Sequence, residues 1–359
     1  MPPTVDVVTS PPRGRGWTSW LVLTSCVGAV SAALSLAGFP SPLLFGGLVG
    51  GLVFALVSTR SVAVPGWSFT IGQGIIGVTI GAIVDFDALA DLGSDWPVVI
   101  VISIVTLALS VVAAQLLRLH RGVSPVTASF ALVAGGASGM TAISRDLGAD
   151  DRVVTVIQYL RVLIVLLAMP AAVSLVFHAD DGAATGSAAP HTTVAAMAYT
   201  VLAVGLGIVA GRLLRLPSPA LLGALAVAVV LSTVPSFRDV EVPVWVQGIG
   251  YLLIGVQVGL RFTVASLRAI GRMLPTALVV IAFIIASCAA FGVLLADLTG
   301  VSQLDAYLAT TPGGLYAVLA TSADTGGNVT FVTAVQLIRL LLVLIAAPLL
   351  ARWLTSRHG

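Results

Sequence analysis

Five stretches of this chain, residues 17–37, 97–117, 153–177, 273–295 and 331–354, run for twenty or more positions with at most two charged residues in any of them. Wound as α-helices rising about 1.5 Å per residue, such runs reach across a hydrocarbon core about 30 Å thick. A backbone in that medium must satisfy its own hydrogen bonds, which leaves helices or a closed barrel. The runs lack the two-residue alternation of an outer-membrane barrel strand, so helices remain. Composition agrees: 58% of the residues are hydrophobic and 9% are charged, against about 25% charged in a soluble domain. The expectation is an all-α polytopic membrane protein.

The pattern is written twice. "ALVAGGASGMTAISRDLGADDRVVTVIQYLRVLIVLLAMP" begins at Ala131, and "ATTPGGLYAVLATSADTGGNVTFVTAVQLIRLLLVLIAAP" begins at Ala309. Shifting the chain by the 178 positions that separate Gln158 from Gln336 aligns the two without a gap. The glycine pairs Gly135–Gly136 and Gly313–Gly314 then coincide, as do Asp146 with Asp324, Arg161 with Arg339 and Pro170 with Pro348. Upstream, "IGVTIG" at Ile76 matches "IGVQVG" at Ile254, and "FPSPLLFGGL" at Phe39 matches "LPSPALLGAL" at Leu216. A fixed long period is the mark of a duplicated structural unit. The expected organisation is a disordered cytoplasmic tail over 1–16, a first membrane repeat over 17–177 and a polar linker over 178–192. A second repeat over 193–354 and a short tail over 355–359 complete it. Cys26 and Cys288 lie inside apolar runs and read as small core residues, with no disulfide framework implied.

Each half holds six hydrophobic segments, and charge decides how many of them span. Cytoplasmic loops carry the arginine excess. If segments 124–148 and 302–326 enter and leave on one side, Arg13, Arg15, Arg60, Arg118 and Arg121 are all cytoplasmic. So are Arg212, Arg215, Arg261, Arg268, Arg272, Arg352 and Arg357. Asp85, Asp87, Asp91, Asp95, Asp180 and Asp181 then face outward. If all six segments span, Arg212, Arg215, Arg261, Arg268 and Arg272 must face outward instead. The first arrangement is expected: about ten transmembrane helices plus two re-entrant Gly-Gly hairpins, in an inverted five-plus-five repeat with both termini cytoplasmic. Irregular backbone at membrane depth is tolerated only where protein buries it or a cavity wets it. Glycine supplies the tight turn and lets a ligand approach bare N–H groups, and a helix restarting after the turn favours an anion. Inverted repeats with broken segments near the midplane are the architecture of secondary transporters.

The duplicated block, "GGASGM…A.SRDLGAD…V..IQYLRVL.V….P" and its copy "PGGLYA…ATSADTGGN…V.AVQLIRLL.V….P", resembles the AbrB family of bacterial membrane proteins over essentially residues 21–353. Members carry labels such as ammonia monooxygenase or regulator of aidB expression. The resemblance implies a multi-pass protein of the bacterial inner membrane and little about its substrate. In architecture alone, the paired Gly-Gly turns are similar to those of citrate and glutamate carriers.

Candidate substrate-binding residues are Gly135, Gly136, Ser138, Gly139, Thr311, Gly313, Gly314 and Tyr316 at the turns, with Gln158, Arg161, Gln336 and Arg339 on the helices that follow. Arginine near a bilayer centre costs about 2.5–3.5 kcal/mol, so two of them require compensation. The options are hairpin carbonyls or Asp146 and Asp324, an anionic ligand, or snorkelling to an interface. Gln158 and Gln336 precede the arginines by three positions and share their helix face. They serve either interhelical hydrogen bonds or the ligand. Asp146 and Asp324 are either caps at the hairpin exits or sites for a coupling ion. Gln73 and Gln257, in glycine-rich helices, read as packing residues.

Enzyme classes find little support. An ammonia monooxygenase needs copper or iron held by clustered histidines and carboxylates, whereas His120, His178, His191 and His358 have no ligand spacing. No metal site, cofactor or P-loop motif is encoded, and no basic domain for nucleic acid. The expected function is a secondary transporter of a small organic anion or metabolite, coupled to H⁺ or Na⁺. The alternative is a membrane ligand sensor that affects gene expression indirectly. The expected partners are that small molecule, the coupling ion and the lipid bilayer, with a homodimer left open.

The arginine bias predicts which loops an external reagent reaches. In a background lacking Cys26 and Cys288, single cysteines at Ser94 and Ser187 are expected to react with a membrane-impermeant thiol reagent in intact cells. A cysteine at Ser266 is expected to react only after permeabilisation, and labelling there in intact cells refutes the arrangement.

Overall fold

The computed structural model describes residues 17–39, 41–58, 62, 64–83, 93, 95–120, 123–133, 148–177, 194–216, 218–237, 240–262, 264, 268 and 270–356. Regular structure among them is entirely helical. The first half contributes α1 (Trp17–Leu36), α2 (Pro42–Val57), α3 (Gly66–Gly81), α4 (Trp96–Ala114, continued by a 3-10 turn over Gln115–Leu119), α5 (Pro125–Leu132) and α6 (Asp151–Leu175). The second contributes α7 (Val194–Leu213), α8 (Pro219–Ser232), α9 (Val244–Gly259), α10 (Leu274–Thr299), α11 (Gln303–Thr310), α12 (Leu315–Asp324) and α13 (Val329–Ser356). Prolines open α2, α4, α5, α8 and α10, where a missing N–H costs nothing and the fixed φ suits a first turn.

Helices Trp17–Leu36, Trp96–Leu119, Val153–Leu175, Val194–Leu213 and Leu274–Thr299 are long and apolar enough to cross a bilayer. Their outer faces remain apolar: Leu21, Val101, Val201, Val279 and Phe283 are exposed. Water would not tolerate apolar surface on this scale in a monomeric soluble protein, and lipid requires it. The chain therefore has the build of a helical membrane protein.

The helices pack in a pattern that maps onto itself when the halves are exchanged. α2 lies along α9, while α8, the counterpart of α2 in the repeat, lies along α3, the counterpart of α9. α1 covers α2 as α7 covers α8, and α3 meets α9 as α4 meets α10. Glycine permits the closest of these contacts. A Cβ at Gly81 would stand 2.6 Å from the Leu225 carbonyl oxygen, and one at Gly77 would overlap that of Leu221. In the other half a Cβ at Gly255 or Gly259 would overlap the carbonyl oxygens of Leu44 or Leu48. The glycine-rich segments are thus packing surfaces, as the small-residue spacing predicts.

The short helices begin alike. Ser124 Oγ accepts from Thr127 N at 3.1 Å, and Ser302 Oγ accepts from Asp305 N at 3.0 Å. Thr127 Oγ1 in turn accepts from Asp150 N at 3.0 Å, and Asp305 Oδ1 accepts from Asn328 N at 2.8 Å. In each half the chain therefore leaves α5 or α11 and returns, at the start of α6 or α13, to the point where it set out.

The glycine contacts predict a contrast. Gly255→Ala forces a methyl group against a backbone oxygen and is expected to cost about 1–3 kcal/mol, read as a lower melting temperature of the detergent-solubilised protein. Gly205→Ala on α7 meets nothing within 4 Å and is expected to be neutral or stabilising. Equal melting temperatures for the two variants would refute the close-contact role.

Candidate functional site

α11 ends at Thr310, α12 starts at Leu315, and the four residues between reverse the chain. Gly313 has φ 120° and Gly314, the N-cap of α12, has φ 77°. Side chains with a Cβ rarely adopt either value. A helix ending inside the protein leaves its last carbonyls without intrahelical partners. α13 supplies them. Gln336 Nε2 donates to Leu308 O at 2.9 Å and to Thr311 O at 3.2 Å, while Arg339 Nη1 donates to Thr310 O at 2.9 Å and Thr311 O at 3.0 Å.

The first half does the same at the end of α5. Gln158 Nε2 donates to Phe130 O at 2.6 Å and Val133 O at 2.9 Å, and Arg161 Nη1 donates to Leu132 O at 2.9 Å. Each of these contacts has its counterpart at the repeat spacing. Of the roles open to the arginines, binding the carbonyls at the end of the short helix is therefore one that both fulfil. The two guanidiniums nevertheless differ: Nε of Arg161 has no hydrogen-bond partner, although that side chain is only 1% exposed.

Both arginines line a cavity of about 120 Å³ that draws on both halves. Gly313, Gly314 and Tyr316 form its hairpin wall, and Gln336 lines it beside Arg339. Leu44, Leu48, Leu166, Ile254 and Val258 give it a broad apolar side. The Tyr316 hydroxyl accepts from Gln73 Nε2 and donates to Ser218 Oγ at 3.5 Å, and Phe69 meets the Tyr316 ring edge-on with centroids 6.0 Å apart. Arg261, exposed at the end of α9, bonds the Tyr159 hydroxyl. Its guanidinium carbon lies 4.6 Å from the Tyr159 ring centroid and 5.3 Å from that of Phe69, within cation–π range.

Of the residues singled out from sequence, Arg161, Gly313, Gly314, Tyr316, Gln336 and Arg339 thus meet at one cavity. Gln158 and Thr311 lie behind it, serving the carbonyl ties, and Thr311 Oγ1 donates to Tyr307 O at 2.7 Å. Gly135, Gly136, Ser138, Gly139 and Asp146 lie outside the described residues. Asp324 is not among the cavity's lining residues; its carboxylate accepts from Ser41 Oγ at the entry to α2. Sequence reasoning missed Phe69, Tyr159, Ser218 and Arg261 as site residues. Ser218 had a signal: it is the serine of the repeated Pro-Ser-Pro. It and Ser41 both sit in left-handed backbone, at φ 54° and 49°. Backbone strain of that kind in a non-glycine residue often accompanies function.

The family model described as "Transition state regulatory protein AbrB" matches residues 4–81 and 43–355. The chain belongs to the AbrB family. It is 32% identical over 320 residues to a protein of Escherichia coli (strain K12) described as "Putative regulator AbrB", covering 88% of this chain and 91% of the relative. It is also 26% identical over 367 residues to "Uncharacterized protein YhjN" of Bacillus subtilis (strain 168), covering 95% and 94%. The Gly313–Gly314 pair and the Gln-x-x-Arg spacing, which helped carry the resemblance to AbrB proteins, thus belong to one structural device in this AbrB-family chain. The glutamine and arginine tie down the carbonyls beside the turn.

The tie predicts a stability effect. Gln336→Leu keeps the volume of the side chain but strips the donor from Leu308 O, about 1–3 kcal/mol to leave bare, and leaves Thr311 O to Arg339 alone. A lowered melting temperature is expected, with a comparable loss for Gln158→Leu. An unchanged melting temperature in both would show that water or another group takes over the carbonyls.

Proposed function

We propose that this chain is a secondary transporter of a small organic anion, coupled to H⁺ or Na⁺, in the bacterial inner membrane with both termini cytoplasmic. The observation that carries the proposal is the cavity itself. Three guanidiniums line it, and no carboxylate is among its described lining residues. A surplus of positive charge within apolar walls attracts an anion more strongly than the same charges would in water.

The topology belongs to the same proposal: ten spans and two re-entrant hairpins in an inverted repeat. The return of each insert to its starting point, through Thr127 with Asp150 and Asp305 with Asn328, supports hairpins over spans. The exchange of helix contacts between the halves supports a two-fold relation, as alternating-access carriers use. Exposed Arg261 lies on the side that the arginine bias assigns to the cytoplasm. The cavity, with Arg261 at its rim, therefore corresponds to a state open to the inside. This reading assigns the chain no enzymatic step.

A second reading has in its favour the word "regulatory" in the description of the family model and "regulator" in that of the Escherichia coli relative. A membrane sensor would use the same cavity without flux. Reconstitution separates the two. In proteoliposomes a transporter is expected to accumulate a radiolabelled anion under an imposed H⁺ or Na⁺ gradient, whereas a sensor binds it without uptake.

The two arginines are expected to part company on substitution by lysine, which keeps the charge and loses the planar fork. Arg339→Lys gives up a guanidinium nitrogen shared by two carbonyls, so melting temperature should fall first. Arg161→Lys gives up the unpaired Nε, so anion binding or uptake should fall with a smaller change in melting temperature. Equal loss of stability with anion binding intact in both would refute the anion site.

A further inference from the structure

We infer that the ligand of this cavity is a short-chain aliphatic monocarboxylate, about the size of butyrate, held head-first between Arg161 and the start of α12. The inference rests on the anion reading above and names the class of anion.

The head site has two independent parts. α12 runs for 10 residues after its N-cap Gly314, and its first intrahelical bonds are Ala317 N to Gly314 O at 2.8 Å and Val318 N to Gly314 O at 2.9 Å. The amides of Leu315 and Tyr316 precede those bonds, and a helix cannot satisfy them internally. They sit at the positive end of the dipole, on residues that line the cavity. The second part is Arg161. Its Nη1 is spent on Leu132 O, so the edge formed by Nε and Nη2 is the one left for a ligand. That edge is aimed at the hairpin tip: a Cβ on Gly313 would lie 3.3 Å from Nη2 and 3.5 Å from Nε. With no side chain on Gly313 to cover that edge, a carboxylate admitted beside the turn would accept from both nitrogens, the paired geometry guanidinium prefers.

The other cationic groups do not provide a second head site. Arg339 has its Nη1 on two carbonyls, also hydrogen-bonds the Cys288 side chain, and has no buried nitrogen left without a partner. Arg261 is exposed, bonded to Tyr159 and flanked by two aromatic faces. Beyond the head the walls are Leu44, Leu48, Val162, Leu166, Ile254 and Val258, and a second carboxylate placed there would lose its hydration without recompense. Volume sets the length. A dry cavity of about 150 Å³ accommodates benzene, with six non-hydrogen atoms. The enclosed part of the present cavity, about 120 Å³, therefore takes about that number of non-hydrogen atoms, the number in butyrate, and a longer tail would pass Arg261 at the rim.

The test uses purified full-length protein in detergent, titrated by calorimetry with sodium acetate, butyrate, octanoate and succinate, and with butylammonium chloride, at constant Na⁺. Butyrate is expected to bind about tenfold tighter than acetate, the effect of two further buried methylene groups, and tighter than octanoate and succinate. Val162→Phe, which fills the tail region, should remove that preference while acetate binding persists. If Val162→Phe does not fold, Arg161→Lys serves instead and should weaken all the carboxylates together. Succinate binding as tightly as butyrate would overturn the monocarboxylate class while leaving the anion reading intact. Butylammonium binding in place of every carboxylate, or no binding by any of the five, would overturn both. Butyrate affinity unchanged in the substituted protein would place the binding elsewhere and overturn the site.

Discussion

A helix that stops inside an apolar body leaves carbonyl oxygens that must be met by something other than water, and much else in this structure follows from how that is done. α5 and α11 end in the interior, and each would strand its last carbonyls there. A glutamine and an arginine on the next long helix reach back to them in each half, at 2.6–3.2 Å. Bare carbonyls at several such positions would cost about 1–3 kcal/mol each. Together they outweigh the about 2.5–3.5 kcal/mol charged to an arginine at membrane depth. The arginine is retained because its donors are used. With the ends secured, the chain can turn at Gly313 and Gly314, and the turn can form one wall of a cavity.

The duplicated frame carries unequal chemistry. Thr127 and Asp305 occupy equivalent positions and accept the equivalent amides, yet one is neutral and the other an acid. Arg161 and Arg339 address equivalent carbonyls, yet only Arg161 keeps a buried Nε without a partner. A duplication preserves backbone geometry because the hydrogen-bonding demand is the same in both copies. Side-chain positions not held by that demand are free to diverge.

The glycine-rich helices set the dimensions of the site. With no Cβ at Gly255, α9 lies directly on the backbone of α2, and this contact brings Ile254 and Val258 to the same wall as Leu44 and Leu48. A larger residue there would separate the two helices and widen the apolar side of the cavity. Packing against backbone is less yielding than packing against side chains, since a carbonyl in a helix cannot change rotamer.

The primary structure by itself determined the helical membrane character, the duplication, the glycine turn at Gly313–Gly314 and the shared face of Gln336 and Arg339. These are local properties: composition over a helix length, self-similarity at a fixed spacing, and three-residue periodicity. The same kind of evidence left open whether the arginines serve carbonyls or a ligand, because both uses require the same residue in the same place. Only the tertiary structure decided that Nη1 of each binds a carbonyl and that Nε of Arg161 is left over. It also brought Ser41 to Asp324, 283 positions away, Gln73 to Tyr316, and Arg261 to Tyr159 and Phe69. Those pairs join segments that share no period and no motif. Their meeting depends on which helices lie side by side, and that is fixed by packing over the whole body.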